Sequence, residues 1–333
     1  MAAPTSPRFP DVPLKAGHYE SFYAKLSDPA RPRGLWIRYT VHKAPGKAAH
    51  GSVWFTWFDR DAAGPRAAKV TVPDEGLRVP DGGYIALGDS TFTPAGLRGS
   101  ISVDGLEVDW DLNIDSSQEP YRHLPKPWMY TAGLPKTKLL SPHPGARYSG
   151  HATVGGERIE VAGWPGMVGH NWGAQHAERW IWMHGTGFEG HEAEEAWLDG
   201  ALGRIKVGPW TTPWIGNACL VLDGRRHLLG GPGKLRATKV IETPERCEFT
   251  LPGEDIEVHG VLESPRKDIV CWVYADPDGP EHNTANCSIA RLTLRAERAG
   301  RPPVELATDW GATYELGMRE TDHGLPLQPF PDG

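Results

Sequence analysis

Apolar and polar positions alternate with a period of two along most of the chain. The runs 35–41 (LWIRYTV) and 52–58 (SVWFTWF) are aromatic and β-branched, with an Ala, Pro, Gly and Lys gap between them. Short strands bounded by turns give this pattern. Further strand-like runs cover 67–72, 83–87, 91–93 and 97–103. Asp104-Gly105 then predicts a two-residue hairpin leading into 106–115. In that arm Leu106, Val108, Trp110, Leu112 and Ile114 share one face, and Glu107, Asp109, Asp111, Asn113 and Asp115 the other. One face packs and the other is wet.

Segment 118–144 breaks the alternation with Pro120, Pro125, Pro127, Pro135, Pro142 and Pro144. It also carries Tyr121, Trp128 and Tyr130, which need cover, so it reads as an ordered crossing loop. A Gly-Gly turn joins 148–154 to 158–161. Beyond it the same idiom returns at 180–184, 194–202, 218–222, 235–241, 245–251, 256–262, 269–274, 287–294 and 310–316. Helical periodicity is not convincing anywhere, and 189–197 admits a helical turn or a strand equally. The fold class is therefore all-β, in two sheet-rich halves divided as 15–165 and 166–325. Closing each half into a barrel or a strongly curled sandwich removes exposed edges and leaves room for a cavity.

Composition refines this picture. The 40 Gly and 31 Pro are spread evenly, as punctuation of many turns. A length of 333 residues suits two sheet domains better than one. The net charge of -7 comes without a basic block, which argues against a nucleic-acid partner. No window approaches a membrane span, and the N-terminal stretch lacks the shape of a signal peptide, so a cytoplasmic location is expected. Cys219, Cys247, Cys271 and Cys287 match no short metal motif and read as buried thiols.

The candidate chemistry concentrates in 163–185, which holds Trp164, Trp172, Trp180, Trp182, His170, His176, His184, Glu178 and Arg179. His170 suits a general acid or base near neutral pH, with Asn171 to orient it or to hold a substrate oxygen. The competing reading has both residues satisfying backbone groups at a strand crossing. If 176–184 is extended, His176, Glu178, Trp180, Trp182 and His184 share a face. Indoles beside a carboxylate would stabilise a developing cation there. Arg179 points the other way, toward an acidic partner. Metal ligands could come from His170, His176, His184, His191, Glu192 and Glu194. Their spacing fits no standard pattern, although separate strands of a barrel can assemble a site, and no metal or organic cofactor is expected.

The hairpin 150–161, Gly163-Trp164 and Gly169-His170-Asn171-Trp172-Gly173 carry a resemblance, together with Trp310, Gly311, Tyr314, Glu315 and Gly317. The chain resembles the lipocalin-like proteins grouped around carotenoid 1,2-hydratase (hydroxyneurosporene synthase), AttH-type proteins and tocopherol cyclase. The likeness is specific around 145–187 and 310–317. It implies two tandem lipocalin-like antiparallel β-barrels with the His-x-Trp-Gly segment near their junction. Some members of the family hydrate, cyclise or isomerise apolar polyene or prenylated substrates, and others have no established activity. The hydratase branch usually reads Asp-His-x-Trp-Gly; Gly169 stands here in place of that aspartate.

Residues and resemblance together give an expected function. It is proton-driven cyclisation, isomerisation or hydration of an apolar isoprenoid- or polyketide-like molecule. His170, Asn171, His176 and Glu178 would be catalytic. Trp164, Trp172, Trp180, Trp182, His184 and Tyr314 would hold the substrate. The alternative is a non-catalytic carrier or sensor of a hydrophobic ligand.

Overall fold

The period-two pattern folds into two large antiparallel sheets and one small hairpin. The structure is a computed structural model that describes residues 5–192 and 195–330. No α-helix occurs among the described residues. The first sheet has 12 strands, and the second has 10. Both curl, one into a nearly closed barrel and the other into a half-barrel, as lipocalin-like sheets do.

At the centre of the first sheet, His18–Ser27 lies between Arg33–Lys43 and the long strand Glu157–Gly173. At the centre of the second, Arg179–Gly185 lies between Trp197–Arg204 and Val304–Met318. The segment 174–178 crosses from one sheet to the other. The changeover of sheets therefore falls beyond the 165/166 division expected from sequence, because the strand after the Gly-Gly turn continues to Gly173.

The turn chemistry explains the hairpins. Asp104 (φ 50°) and Gly105 (φ 78°) both adopt positive φ, as a two-residue turn of matching twist requires. Gly155 and Gly156 do the same, at 60° and 84°. Around them run Thr137–Val154 and Glu157–Gly173, far longer arms than the sequence suggested. The run 235–241 shrinks to the strand Lys239–Glu242, after a 3-10 turn at Pro232–Lys234. In 189–197, the His191 N–H bonds the Phe188 carbonyl in a turn, and the strand begins at Trp197. Ala193 and Glu194 lie outside the described residues, and with them falls Glu194 as a candidate ligand.

Strand parity places the core. Leu35, Ile37, Tyr39 and Val41 point into the first sheet with Phe22, Phe55 and Trp110. On the opposite face, Tyr23, Trp36 and Trp54 join the core of the second sheet. The Trp54 and Trp272 rings meet edge-on at 5.0 Å, and Trp54 meets Tyr274 at 5.6 Å. Strands such as Arg33–Lys43 are thus buried on both faces, one against their own sheet and one against the other. Polar contacts also join the two sheets. Arg60 pairs with Asp268 at 3.1 Å, the Trp310 indole donates to the Asp28 carbonyl at 2.8 Å, and Lys25 Nζ donates to the Gly311 carbonyl at 2.7 Å. All four cysteines are free and buried. Burial pushes the thiols of Cys219, Cys247 and Cys271 up to about 12 and that of Cys287 up to about 11.

Candidate functional site: a cavity between the two sheets

A cavity of about 290 Å³ lies between the outer face of the first sheet, the crossing loop and the second sheet. Its walls are mostly apolar, with a few polar groups converging on them, the usual make-up of a small-molecule site.

On the first sheet, cross-strand register sets Gly169, Tyr23, Arg38, Trp54 and Lys69 side by side in one row. Glycine is required at 169 because a Cβ there would overlap the Tyr23 ring. Tyr23 therefore lies across Gly169 and meets Trp182 edge-on at 4.9 Å. Burial raises its pKa well above the ordinary value, and the charges of Asp199 and Glu315 add to the rise. Its hydroxyl stays protonated. Arg38 is 4% exposed, with its guanidinium 4.0 Å from the Tyr274 ring centre and 5.4 Å from that of Trp54. Its Nη1 is buried without a hydrogen-bond partner. The indole nitrogens of Trp36 and Trp182, two more wall residues, are likewise buried and unpartnered.

On the second sheet the corresponding row is Asn217, Ala201, Trp182, Glu315 and Asn286. The Glu315 carboxylate accepts from Trp180 Nε1 (3.1 Å), Asn286 Nδ2 (3.1 Å) and the Tyr274 hydroxyl (3.3 Å). Gly317 again lets an aromatic lie flat, since a Cβ there would overlap Trp180.

The crossing loop supplies the third wall through His123, Leu124, Pro125, Met129 and Leu134. His123 Nε2 lies 3.3 Å from Ser141 Oγ and 3.5 Å from Asp199 Oδ2, and Ser141 donates to Asp199 at 2.5 Å. Burial works against ionisation of Asp199. The charge and hydrogen bond of His123, with help from His184 and Ser141, outweigh it and hold the pKa below the ordinary value.

The structure divides the expected site residues into two groups. Asn171, His176, Glu178, Trp180 and Trp182 line the cavity. Asn171 accepts from Ser21, Glu178 pairs with Arg319 at 3.0 Å, and His176 Nδ1 bonds Asp276 at 2.8 Å. The other group lies off the wall. His170 is fully buried between Phe22 (4.0 Å) and Trp172 (4.5 Å) and bonds Glu20 at 2.7 Å. Glu20 also accepts from His18 and from the backbone N–H groups of Arg8 and Phe9. Burial would raise its pKa, but the two imidazoles prevail and bring it down to about 2. This corner fastens the N-terminal lead. Trp164 stacks on Trp57, and Trp172 lies beneath Arg8. His184 Nε2 donates to the Pro144 carbonyl at 2.9 Å, and burial with the Lys25 charge lowers its pKa to about 4. Tyr314 donates to the Thr243 carbonyl, and its neighbour Glu315 is the residue that reaches the cavity. His176 and Glu178 precede the strand, so the single extended face expected over 176–184 holds only from Arg179 onward. Arg179 turns away, onto Glu242 and Glu320.

Tyr23, Arg38, His123 and Asp199 were not anticipated. Each sits on a separate element, and no local motif marks it. Periodicity does place Tyr23 and Arg38 opposite the apolar positions of their strands, which was the available signal.

No known protein-family profile matches the chain. The uncharacterized protein Rv0493c of Mycobacterium tuberculosis is 30% identical over 92% of this chain and 88% of its own length. Among solved structures, an AttH candidate from Nitrosomonas europaea aligns with a TM-score of 0.57 and 15% identity, covering 92% of this chain and 93% of that one. Kievitone hydratase from Nectria haematococca aligns with a TM-score of 0.53 and 10% identity, covering 92% and 90%. The chain belongs to the family of the mycobacterial protein and has the AttH-like, lipocalin-like fold.

Proposed function

We propose that this chain is a hydratase-type enzyme. It would act on an apolar, oxygen-bearing small molecule of isoprenoid or polyketide kind, using its own acid and base side chains and no organic cofactor. The observation that carries this reading is the pairing of opposed polar groups on one apolar cavity. His123, backed by Asp199, stands on one wall, and Glu315, held by three donors, stands on another. A passive carrier gains nothing from burying such groups, which cost several kcal/mol unless paired.

The division of labour follows from charge. His123, hydrogen-bonded to Ser141 beside Asp199 and facing the cavity, is the proton source for a carbon–carbon double bond. Glu315 takes a proton from the incoming water, whose oxygen bonds to the carbon left electron-poor. Arg38 and the Tyr23 hydroxyl suit a substrate oxygen that gains negative charge, such as a conjugated carbonyl. Trp180 and Trp182 shape the apolar remainder, and Asn171 offers its amide N–H groups. The same acid and base would serve an isomerisation or cyclisation if water were excluded. The relative named kievitone hydratase, with the same fold, supports the hydration form.

The test is native mass spectrometry of protein purified from its own host, followed by identification of any co-purified molecule. That molecule is then incubated with the enzyme in heavy-oxygen water. Incorporation of one labelled oxygen is expected, and Glu315→Gln should abolish it. Release of the molecule unchanged by wild type would establish a carrier instead.

A further inference from the structure

Beside the cavity, His176, Asp276 and His282 bring one ligand atom each within 4.8 Å of one another. His176 comes from the segment that crosses between the sheets. Asp276 and His282 flank the turn between the strands Val270–Ala275 and Glu281–Glu297. His282 is fully buried and Asp276 is 2% exposed.

These groups are poorly satisfied as they stand. His176 Nδ1 and its backbone N–H both bond Asp276 Oδ1, at 2.8 and 2.7 Å. Asp276 Oδ2 and His176 Nε2 are buried without partners. Neither ring nitrogen of His282 has a partner of hydrogen-bond geometry, although the Ala177 backbone beside it is a weak acceptor. Buried polar atoms are normally paired, and four orphans on three adjoining side chains call for a missing partner. Arg319 is the nearby cation, and Glu178 already pairs with it.

We infer that His176, Asp276 and His282 form a binding site for a divalent transition-metal ion such as zinc. Two imidazoles and one carboxylate are a ligand set that zinc accepts, with a fourth position left for water or another ligand. The geometry is within reach. Three atoms no more than 4.8 Å apart share a point at most about 2.8 Å from each. Bonds of about 2.1 Å then require each side chain to move by about 0.7 Å. The ion would tie the crossing segment to the hairpin of the second sheet. Through His176, which also lines the cavity, it would lie at the edge of the substrate space. The inference is independent of the reaction proposed above, and its test needs no substrate.

Untagged full-length protein, stripped with EDTA and dialysed, is titrated with Zn²⁺ and with Co²⁺. One equivalent should bind, with visible Co²⁺ absorption bands and a rise in melting temperature of several degrees that EDTA reverses. His282→Gln and Asp276→Asn should each weaken binding at least 100-fold, whereas His259→Gln, on an exposed strand face, should not. If circular dichroism shows that either variant misfolds, His176→Asn replaces it. A wild-type protein without a stoichiometric Co²⁺ spectrum overturns the inference. So does one equivalent retained in the folded variants.

Discussion

Two imidazole–carboxylate pairs in this molecule invite comparison. His170 and Glu20 sit on the inner face of the first sheet, fully enclosed and remote from the cavity wall. His123 and Asp199 are equally buried, yet His123 forms part of that wall. The chemistry of the two pairs is the same. Position in the fold separates them: residues 20, 22, 170 and 172 face inward within the first sheet, whereas His123 lies on the crossing loop and meets Asp199 of the second sheet. One pair thus becomes a clasp for the N-terminal lead and the other part of the cavity wall. A histidine's neighbours in sequence say less about its task than the side of the fold on which it comes to lie.

The largest difference between the two pairs is expected in turnover. Glu315→Gln, or loss of His123 as His123→Ala, should lower kcat by about 10²-fold or more with the fold intact, as steady-state rates and circular dichroism would show. His170→Ala should do the reverse, leaving kcat per folded molecule unchanged. If His170→Ala abolishes turnover without lowering stability, the comparison fails.

Stability gives the next effect. His170→Ala strands the buried Glu20 carboxylate and should cost about 3 kcal/mol in urea denaturation. The pH dependence sharpens this. The folded-state pKa of Glu20 is depressed, to about 2 from 4.5. Its contribution is therefore complete above pH 4.5 and is lost as pH falls toward 2. Glu20→Gln should flatten that part of the acid limb. A limb unchanged in the variant would place the acid sensitivity elsewhere.

Lys25 works in the same direction in a higher pH window. Burial lowers its folded-state pKa to about 7 from 10.5. Between those values the unfolded chain binds the extra proton, so stability should rise with pH from 7 toward 10.5. Lys25→Met should remove that rise, which denaturation at several pH values would reveal.

The smallest effect expected is at Gly169. An alanine methyl there would press on Tyr23 and cost about 1–3 kcal/mol in overpacking. Apparent ligand affinity should fall with it, because Tyr23 must shift within the cavity wall.

Much of the fold was legible in the sequence, for reasons the structure makes plain. Alternation and turn residues announce strands whose two faces differ, as in Leu106–Asp115, where acidic positions are wet and apolar ones buried. The site was only half legible. Trp180, Trp182, Asn171, His176 and Glu178 were found because polar and aromatic side chains crowd where the sheets meet. His170, Trp164, Trp172, His184 and Tyr314 were drawn into the same expectation, since in a strand buried on both faces alternation no longer tells wall from core. Tyr23 and Arg38 escaped because they meet the cavity wall through cross-strand register, which joins residues far apart in the chain.

The short bridge 174–178 has a further consequence. Because each sheet contributes one side of the chamber, a chain cut in that bridge would yield two pieces, neither able to enclose a guest. Reassembly of separately expressed halves would be driven by the aromatic core that Tyr23, Trp36 and Trp54 share with Trp272 and Tyr274, making the bridge a natural place to split the chain.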